Sequence, residues 1–242
     1  MRRVLATLLL AAALPAYAEP LAAVPISREA QSWWRARHAA KLVEARQGAD
    51  IVLLGDSITQ QLEEPEYAGI WQRYYGGRRV LDLGFVGDAT CHLLWRIEHG
   101  ELAGLRPRGV VILIGANNLG SLHWPANDDL RGIDAVVAAT RERLPTTPIL
   151  LLGVLPSDRG AWVMAQETTI NAGLTRRYAA GAVSGVTFVD PSPLFLKAEG
   201  RVATELYRDA PAPALHPSPD GMAMLAALIE PMLAGWLGEH PR

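Results

Sequence analysis

Five short, largely apolar runs punctuate the chain, at residues 51–54, 80–83 (with one aspartate inside), 110–114, 149–152 and 186–189 (with one threonine inside). None alternates apolar with polar, so each predicts a strand covered on both faces, as in a parallel sheet. Stretches of helical spacing lie before, between and after them. Residues 27–47 interleave Trp33, Trp34, Ala40 and Val43 with Arg35, Arg37, Lys41, Glu44 and Arg46, which predicts an amphipathic helix capped by Ser27 and stopped by Gly48. Residues 127–144 set Leu130, Ile133, Val136, Val137 and Thr140 near one face and end at Pro145; residues 165–178 and 222–237 behave likewise. Strands alternating with helices predict right-handed βαβ units and an α/β fold, a three-layer α/β/α sandwich around a mainly parallel five-stranded sheet. In such a sheet, reactive groups belong just past the carboxyl ends of the strands.

The first residues fall outside this pattern. Arg2 and Arg3 precede an apolar run over residues 4–14, and Pro15 is followed by Ala16-Tyr17-Ala18, a small-x-small cleavage site. Residues 1–18 therefore read as a secretory signal peptide, too short in its apolar part for the ~20 residues that span a bilayer. No later segment is expected to span one. Residues 19–242 then form a single domain, exported to a bacterial periplasm or beyond. Without Arg2 and Arg3 the 23 basic residues fall to 21 against 25 acidic ones, a net charge of −4. With no basic cluster, nucleic acid is not expected as a partner. One cysteine, Cys91, cannot form an internal disulfide and no Cys/His cluster has zinc spacing, so no structural metal is expected. Cys91 reads as a packing residue.

Four strand ends carry candidate chemistry. The first strand runs into Gly55-Asp56-Ser57-Ile58-Thr59, where a serine can stand exposed at a helix N-terminus; Asp56 and Ser57 can equally be plain helix caps. The second ends in a glycine-rich turn, Gly84-Phe85-Val86-Gly87-Asp88, whose backbone N–H groups can face an oxyanion. The third ends in Gly115-Ala116-Asn117-Asn118, and an asparagine there is either a turn residue or a neutral N–H donor aimed into a cleft. Near the C-terminus, Leu215-His216-Pro217-Ser218 holds a histidine on a loop before the last helix, placed to serve as general base. The other histidines, 38, 92, 99, 123 and 240, read as solvated or structural.

Taken in order, Gly55-Asp56-Ser57, Gly87, Gly115-Ala116-Asn117 and His216 resemble the four blocks of the SGNH (GDSL-type) hydrolases. The stretch 82–120, with Cys91-His92-Leu93-Leu94-Trp95-Arg96-Ile97-Glu98, is particularly similar to the catalytic subunits of intracellular platelet-activating-factor acetylhydrolase, and Gly153-Val154-Leu155-Pro156 continues the similarity. The resemblance implies a flavodoxin-like fold and an esterase acting on a small-molecule ester, an acetylated sugar or lipid; with the expected leader, that esterase is a secreted one. The resemblance also implies Ser57 as nucleophile, His216 as base, an oxyanion hole made by the N–H groups of Ser57 and Gly87 with the Asn117 side chain, and no need of a metal or cofactor.

The last block departs from the pattern. The family places an aspartate three residues before the histidine, and here that position is Pro213. Asp209 is the nearest upstream acid, but an extended spacer would carry it ~20 Å from His216, so the Ala210-Pro211-Ala212-Pro213 segment must fold back for Asp209 to serve. The competing assignments are a Ser-His dyad with the imidazole held by a backbone carbonyl or water, Asp220, which reads better as the cap of the last helix, and Asp190, which reads as a loop support. Without an acid the chain would be an impaired, sugar- or lipid-binding relative. Val86 stands where the acetylhydrolases have a second glycine. Trp71, Trp124 and Trp162 are candidates to line a sugar-binding cleft.

Overall fold

The computed structural model describes residues 18–209 and 212–242, so the expected leader lies outside the described residues except for Ala18. Five strands form one sheet: β1 (Ile51–Gly55), β2 (Val80–Gly84), β3 (Gly109–Leu113), β4 (Ile149–Leu152) and β5 (Val186–Val189). Their order is β2-β1-β3-β4-β5 and every pairing is parallel. β1, β3 and β4 are buried at every position, which accounts for runs that show no alternation. The order reverses between β1 and β3, the switch point at which doubly wound sheets bind ligands.

The helices are α1 (Ser32–Ala45), α2 (Ser57–Gln60), α3 (Ala68–Ile70), α4 (Thr90–Arg96), α5 (Ala116–Gly120), α6 (Ala126–Arg143), α7 (Ala161–Arg177), α8 (Ser192–Phe195) and α9 (Pro219–Leu237). α6 packs on both α4 and α7, whereas α9 packs on α3 and α8. Right-handed crossovers assign these groups to opposite faces of the sheet. Gly84 is required where α2 meets β2: a Cβ there would stand 2.2 Å from the Gln60 backbone nitrogen. That close approach holds the start of α2 over the strand ends.

Several boundaries differ from those the sequence suggests. α1 begins at Ser32, and Ser27 does not cap it; its hydroxyl instead accepts from the Glu29 N–H in the preceding turn. The buried face of α1 is Trp34, His38, Lys41 and Ala45, while Trp33 and Val43 are exposed. The reason is pairing: Lys41 is buried because its ammonium meets Glu63 at 2.5 Å and Glu44 at 2.8 Å, and the His38 ring stacks on Trp34. α7 starts at Ala161, four residues before the expected start, since Gly160, at φ +109°, provides the turn. α9 is capped by Ser218, whose hydroxyl accepts from Gly221 N–H; Asp220, expected as the cap, lies in the first turn.

By length and composition α9 is apolar enough to cross a membrane, contrary to the expectation that no later segment is. Yet Met222, Leu225, Ile229 and Leu233 are buried against the sheet, each worth about 1.5–3 kcal/mol. Its one interior acid, Glu230, is paired with Arg78 at 2.7 Å. It is the core helix of its layer.

Candidate active site

Ser57 opens α2 directly after β1. Asp56 is the N-cap, and its Oδ1 accepts from Ile58 N–H at 2.9 Å. Burial pushes the Asp56 carboxyl up to about 7, only partly offset by that N–H. As the first helical residue, Ser57 has no intrahelical acceptor for its own N–H. The Ser57 hydroxyl is nearly buried and lies 2.9 Å from His216 Nε2. On the other side of the ring, His216 Nδ1 lies 3.2 Å from Asp209 Oδ1.

The reach of Asp209 is a matter of strand pairing. Tyr207 bridges Pro217 in antiparallel fashion, Arg208 N–H donates to the His216 carbonyl at 2.9 Å, and Ser218 N–H donates to the Leu206 carbonyl at 2.8 Å. Residues 206–209 and 215–218 are thus the arms of a hairpin. In that register Asp209 stands opposite Leu215, and its Oδ2 accepts from the N–H groups of Leu215 at 3.0 Å and His216 at 2.5 Å. Burial raises the Asp209 carboxyl, but these donors and the imidazole outweigh it and hold the group below its usual range. Neither of the other acids occupies this place. Asp190 Oδ1 accepts from Ser192 N–H at 2.9 Å and from Asn171 at 3.2 Å, bracing the loop after β5.

The remaining donors belong to the ends of β2 and β3. Gly87 has φ +73°, a left-handed conformation that favours glycine, and its N–H meets no acceptor among the described residues. The turn is fixed on one side by Val86 N–H donating to Gln60 Oε1 at 2.8 Å. On the other side Asn117 Nδ2 donates to the Asp88 carbonyl at 3.0 Å. One amide hydrogen of Asn117 remains for another partner. α2, the Gly87 turn and α5 are therefore tied together through two hydrogen bonds, and the free donors of Ser57, Gly87 and Asn117 sit at the same end of the sheet. A hydroxyl hydrogen-bonded to an imidazole, with neutral N–H donors beside it, is an arrangement able to attack an acyl carbon and stabilise the resulting oxyanion.

Supporting residues went unrecognised in the sequence. Tyr67 Oη and Gln61 Nε2 both donate to the Pro217 carbonyl, at 2.7 and 3.2 Å, and so brace the histidine loop. Asp88, fully buried, accepts from Arg28 at 2.7 Å, Trp34 at 2.9 Å and Arg96 at 2.8 Å. Arg96 also pairs with Glu101 and donates to the Gly55 carbonyl at 3.1 Å, linking the β1 and β2 ends. Burial pushes Glu101 up to about 7. A charged pair five residues apart is unremarkable along a sequence; only the turn that brings Glu101 back reveals it. Cys91 is fully buried after the Gly87 turn, and burial pushes its thiol up to about 12, which suits packing and not nucleophilic attack. Trp71 packs against the core and Tyr75, Trp124 is half-buried, and Trp162 is exposed and stacked on His123.

Comparison with known proteins matches residues 53–224 to the model of the GDSL-like Lipase/Acylhydrolase family. The chain is 32% identical over 154 residues to platelet-activating factor acetylhydrolase IB subunit alpha1 of Bos taurus, covering 64% of this chain and 63% of that one. It thus spans a little under two thirds of that relative's length. Among solved structures, it is similar to a GDSL-like lipase of Bacteroides thetaiotaomicron (TM-score 0.62, 16% identity, 83% of this chain and 97% of that one). It is also similar to a carbohydrate esterase family 3 protein of Talaromyces cellulolyticus (TM-score 0.56, 20% identity, 78% and 97%).

Proposed function

Since the chain belongs to the GDSL-like lipase/acylhydrolase family, we propose that it is an ester hydrolase that cleaves short-chain, acetyl esters of carbohydrates or lipids through an acyl-enzyme on Ser57. The observation that carries this reading is the continuous contact from Ser57 Oγ through His216 to Asp209. Ser57 Oγ attacks the acyl carbon while its proton passes to His216 Nε2. The negative oxygen that develops is met by the N–H groups of Ser57 and Gly87 and by the Asn117 amide. The bond to the alcohol then breaks, and His216 returns the proton to the departing oxygen. Water repeats the sequence, with His216 as base, and releases the carboxylic acid. Asp209 keeps the proton of the neutral imidazole on Nδ1, which leaves Nε2 free to accept from serine.

The acetyl preference is supported by the acetylhydrolase relative. We propose further that residues 1–18 are a cleaved leader and the mature protein is exported. In support, the Leu21–Ala23 turn is docked on α6, with Ala22 fully buried and its carbonyl accepting from Thr90 Oγ at 2.7 Å, so the fold holds the chain from soon after the expected cut.

The test is hydrolysis of p-nitrophenyl esters together with labelling by a fluorophosphonate. Acetate should be cleaved faster than the longer chains, and the label should be found on the Ser57 peptide. Ser57→Ala should abolish both. Undiminished turnover by that variant would refute the assignment. Intact mass of protein from the periplasmic or culture fraction tests the cut after Ala18.

A further inference from the structure

Two arginines, the fully buried Arg96 and the largely buried Arg159, are served differently by the fold. Every nitrogen of Arg96 has an acceptor: Asp88 for Nε, Glu101 for Nη1 and the Gly55 carbonyl for Nη2. Arg159 has one. Its Nε donates to Ser157 Oγ at 2.9 Å, whereas Nη2 is buried without a hydrogen-bond partner, 3.6 Å from Glu167 Oε1. Glu167 is committed elsewhere, with its two oxygens taken by the Ser157 N–H at 3.0 Å and the Ser157 hydroxyl at 2.6 Å. Nη1 meets no acceptor among the described residues. Burial works against the Arg159 charge and lowers its pKa. An Nη2 group withdrawn from water with its donors idle is costly unless an acceptor arrives, and the Arg159 side chain as a whole keeps 13% of its surface open to the outside.

The open fork lies beside the proposed active site. Arg159 Nη1 is 1.7 Å from where a Cβ on Gly120 would stand, so only glycine at that position leaves it room. Gly120 closes α5, the short helix that carries Asn117. Asp158, next to Arg159, donates its N–H to the Ala214 carbonyl at 3.1 Å, two residues before His216. Arg159 is thus bracketed by the Asn117 helix and the His216 loop. Three residues further along each segment, the rings of His123 and Trp162 stack 5.9 Å apart at 26°. Trp162 is 43% exposed. His123, at φ +53°, is the one non-glycine residue with positive φ among the described residues, a strained conformation of the kind retained at ligand sites.

We propose that Arg159, with the Trp162–His123 stack beside it, forms a subsite for an ester whose alcohol half carries a carboxylate or phosphate on a sugar-like ring. This rests on the esterase reading of Ser57. The acyl half of an acetyl ester has no charge, so the anion belongs to the alcohol. The planar fork matches two oxygens of either anion, and the exposed indole offers an apolar face to the ring.

The experiment compares kcat/KM for acetyl esters of one sugar in three forms: a free carboxylate, its neutral methyl ester, and a phosphate, with p-nitrophenyl acetate run alongside. The wild-type protein should favour a charged form over the methyl ester by about 10- to 100-fold, the range expected for hydrogen bonds to a charged group. A preference for the carboxylate or for the phosphate supports the subsite and identifies the source of the anion. Arg159→Gln should bring the charged-to-neutral ratio near one. Gly120→Ala, which pushes a methyl group into the guanidinium while keeping its charge, should lower the ratio as well. Should Arg159→Gln fail to fold, Trp162→Ala supplies the reading through a higher KM for the ring-bearing esters relative to p-nitrophenyl acetate. A wild-type ratio near one, or a ratio unmoved by Arg159→Gln, overturns the subsite. Absence of p-nitrophenyl acetate turnover would instead overturn the esterase reading beneath it.

Discussion

Asparagine at position 209 has its orientation dictated by the hairpin. Two backbone donors, the N–H groups of Leu215 and His216, converge on Asp209 Oδ2. In Asp209→Asn the amide oxygen must stay on those donors, because an NH₂ group there would set donor against donor. The NH₂ then falls at the Oδ1 position, 3.2 Å from His216 Nδ1. It can only donate, so the imidazole is forced to accept at Nδ1 and to carry its proton on Nε2. That proton faces Ser57 Oγ, and the base can no longer take one. A wrong tautomer of this kind costs about 10⁴ in kcat in a serine-protease triad.

Asp209→Ala is the milder change at the histidine. It removes the charge without dictating the tautomer. Two unit charges 3.2 Å apart attract by about 5 kcal/mol at an effective dielectric of 20 and about 1.3 kcal/mol in water. His216 and Asp209 keep about a fifth of their side-chain surface exposed, so an intermediate value near 2.6 kcal/mol applies, roughly a 10²-fold loss. The expected order is therefore wild type, Asp209→Ala, then Asp209→Asn, with about two decades at each step. The assay is kcat for p-nitrophenyl acetate, with active sites counted by the fluorophosphonate burst and folding checked by circular dichroism. If the asparagine variant is as active as the alanine variant, the tautomer argument fails. If both keep wild-type kcat, the imidazole is held by something else.

Three further outcomes follow from the same geometry. Asn117→Ala removes one donor facing the proposed oxyanion and should lower kcat by about 10²- to 10³-fold with little change in KM; a fall confined to KM would place Asn117 in ground-state binding instead. Arg96→Met strands the buried carboxylate of Glu101 and leaves Asp88 with only Arg28 and Trp34, and should cost about 3–5 kcal/mol, seen calorimetrically as a Tm lower by roughly 10 °C; a shift of only a degree or two would show that the pair is dispensable. The third concerns pH. Asp56 is raised by burial to about 7, so between about pH 4 and pH 7 the folded form holds a proton that the unfolded form has lost. Its contribution is complete below pH 4 and disappears as pH rises towards 7, whereas Asp56→Asn, which keeps an acceptor for the Ile58 N–H, should lack that decline; urea midpoints across pH 4–8 that fall equally in both proteins would refute it.

The parts of this fold that were legible in the sequence are those decided by local chemistry. Runs such as residues 149–152 are apolar throughout because both faces are covered, and any such run between helices reads as an interior parallel strand. Ser57, Gly87 and Asn117 were visible because each follows a strand closely, and a parallel sheet aligns all its carboxyl ends. The buried face of α1 was not visible. Lys41 and His38 enter the interior only because Glu63 and Trp34 receive them, and a count of apolar positions assigns both to solvent. The network of Asp88, Arg96 and Glu101 was hidden for the same reason.

Asp209 shows where distance along the chain misleads. Seven residues before His216, it stands four positions upstream of the place where a family member would carry the acid, and an extended spacer would take it out of reach. Pairing changes the measure. Once Tyr207 bridges Pro217 and Arg208 bonds to His216, residue 209 must stand opposite residue 215, whatever lies between the arms. The N–H groups of Leu215 and His216 then draw one carboxylate oxygen inward and turn the other towards Nδ1. Pro213 contributes no carboxylate, and the opposite arm brings that of Asp209 to the imidazole in its place. Brace residues follow the same logic: Tyr67 and Gln61 hold the Pro217 carbonyl, so the arm bearing His216 is fixed from the first half of the chain while Asp209 fixes it from the second. A change that unpairs Tyr207 from Pro217 would therefore be felt at the imidazole before it was felt anywhere in the sheet.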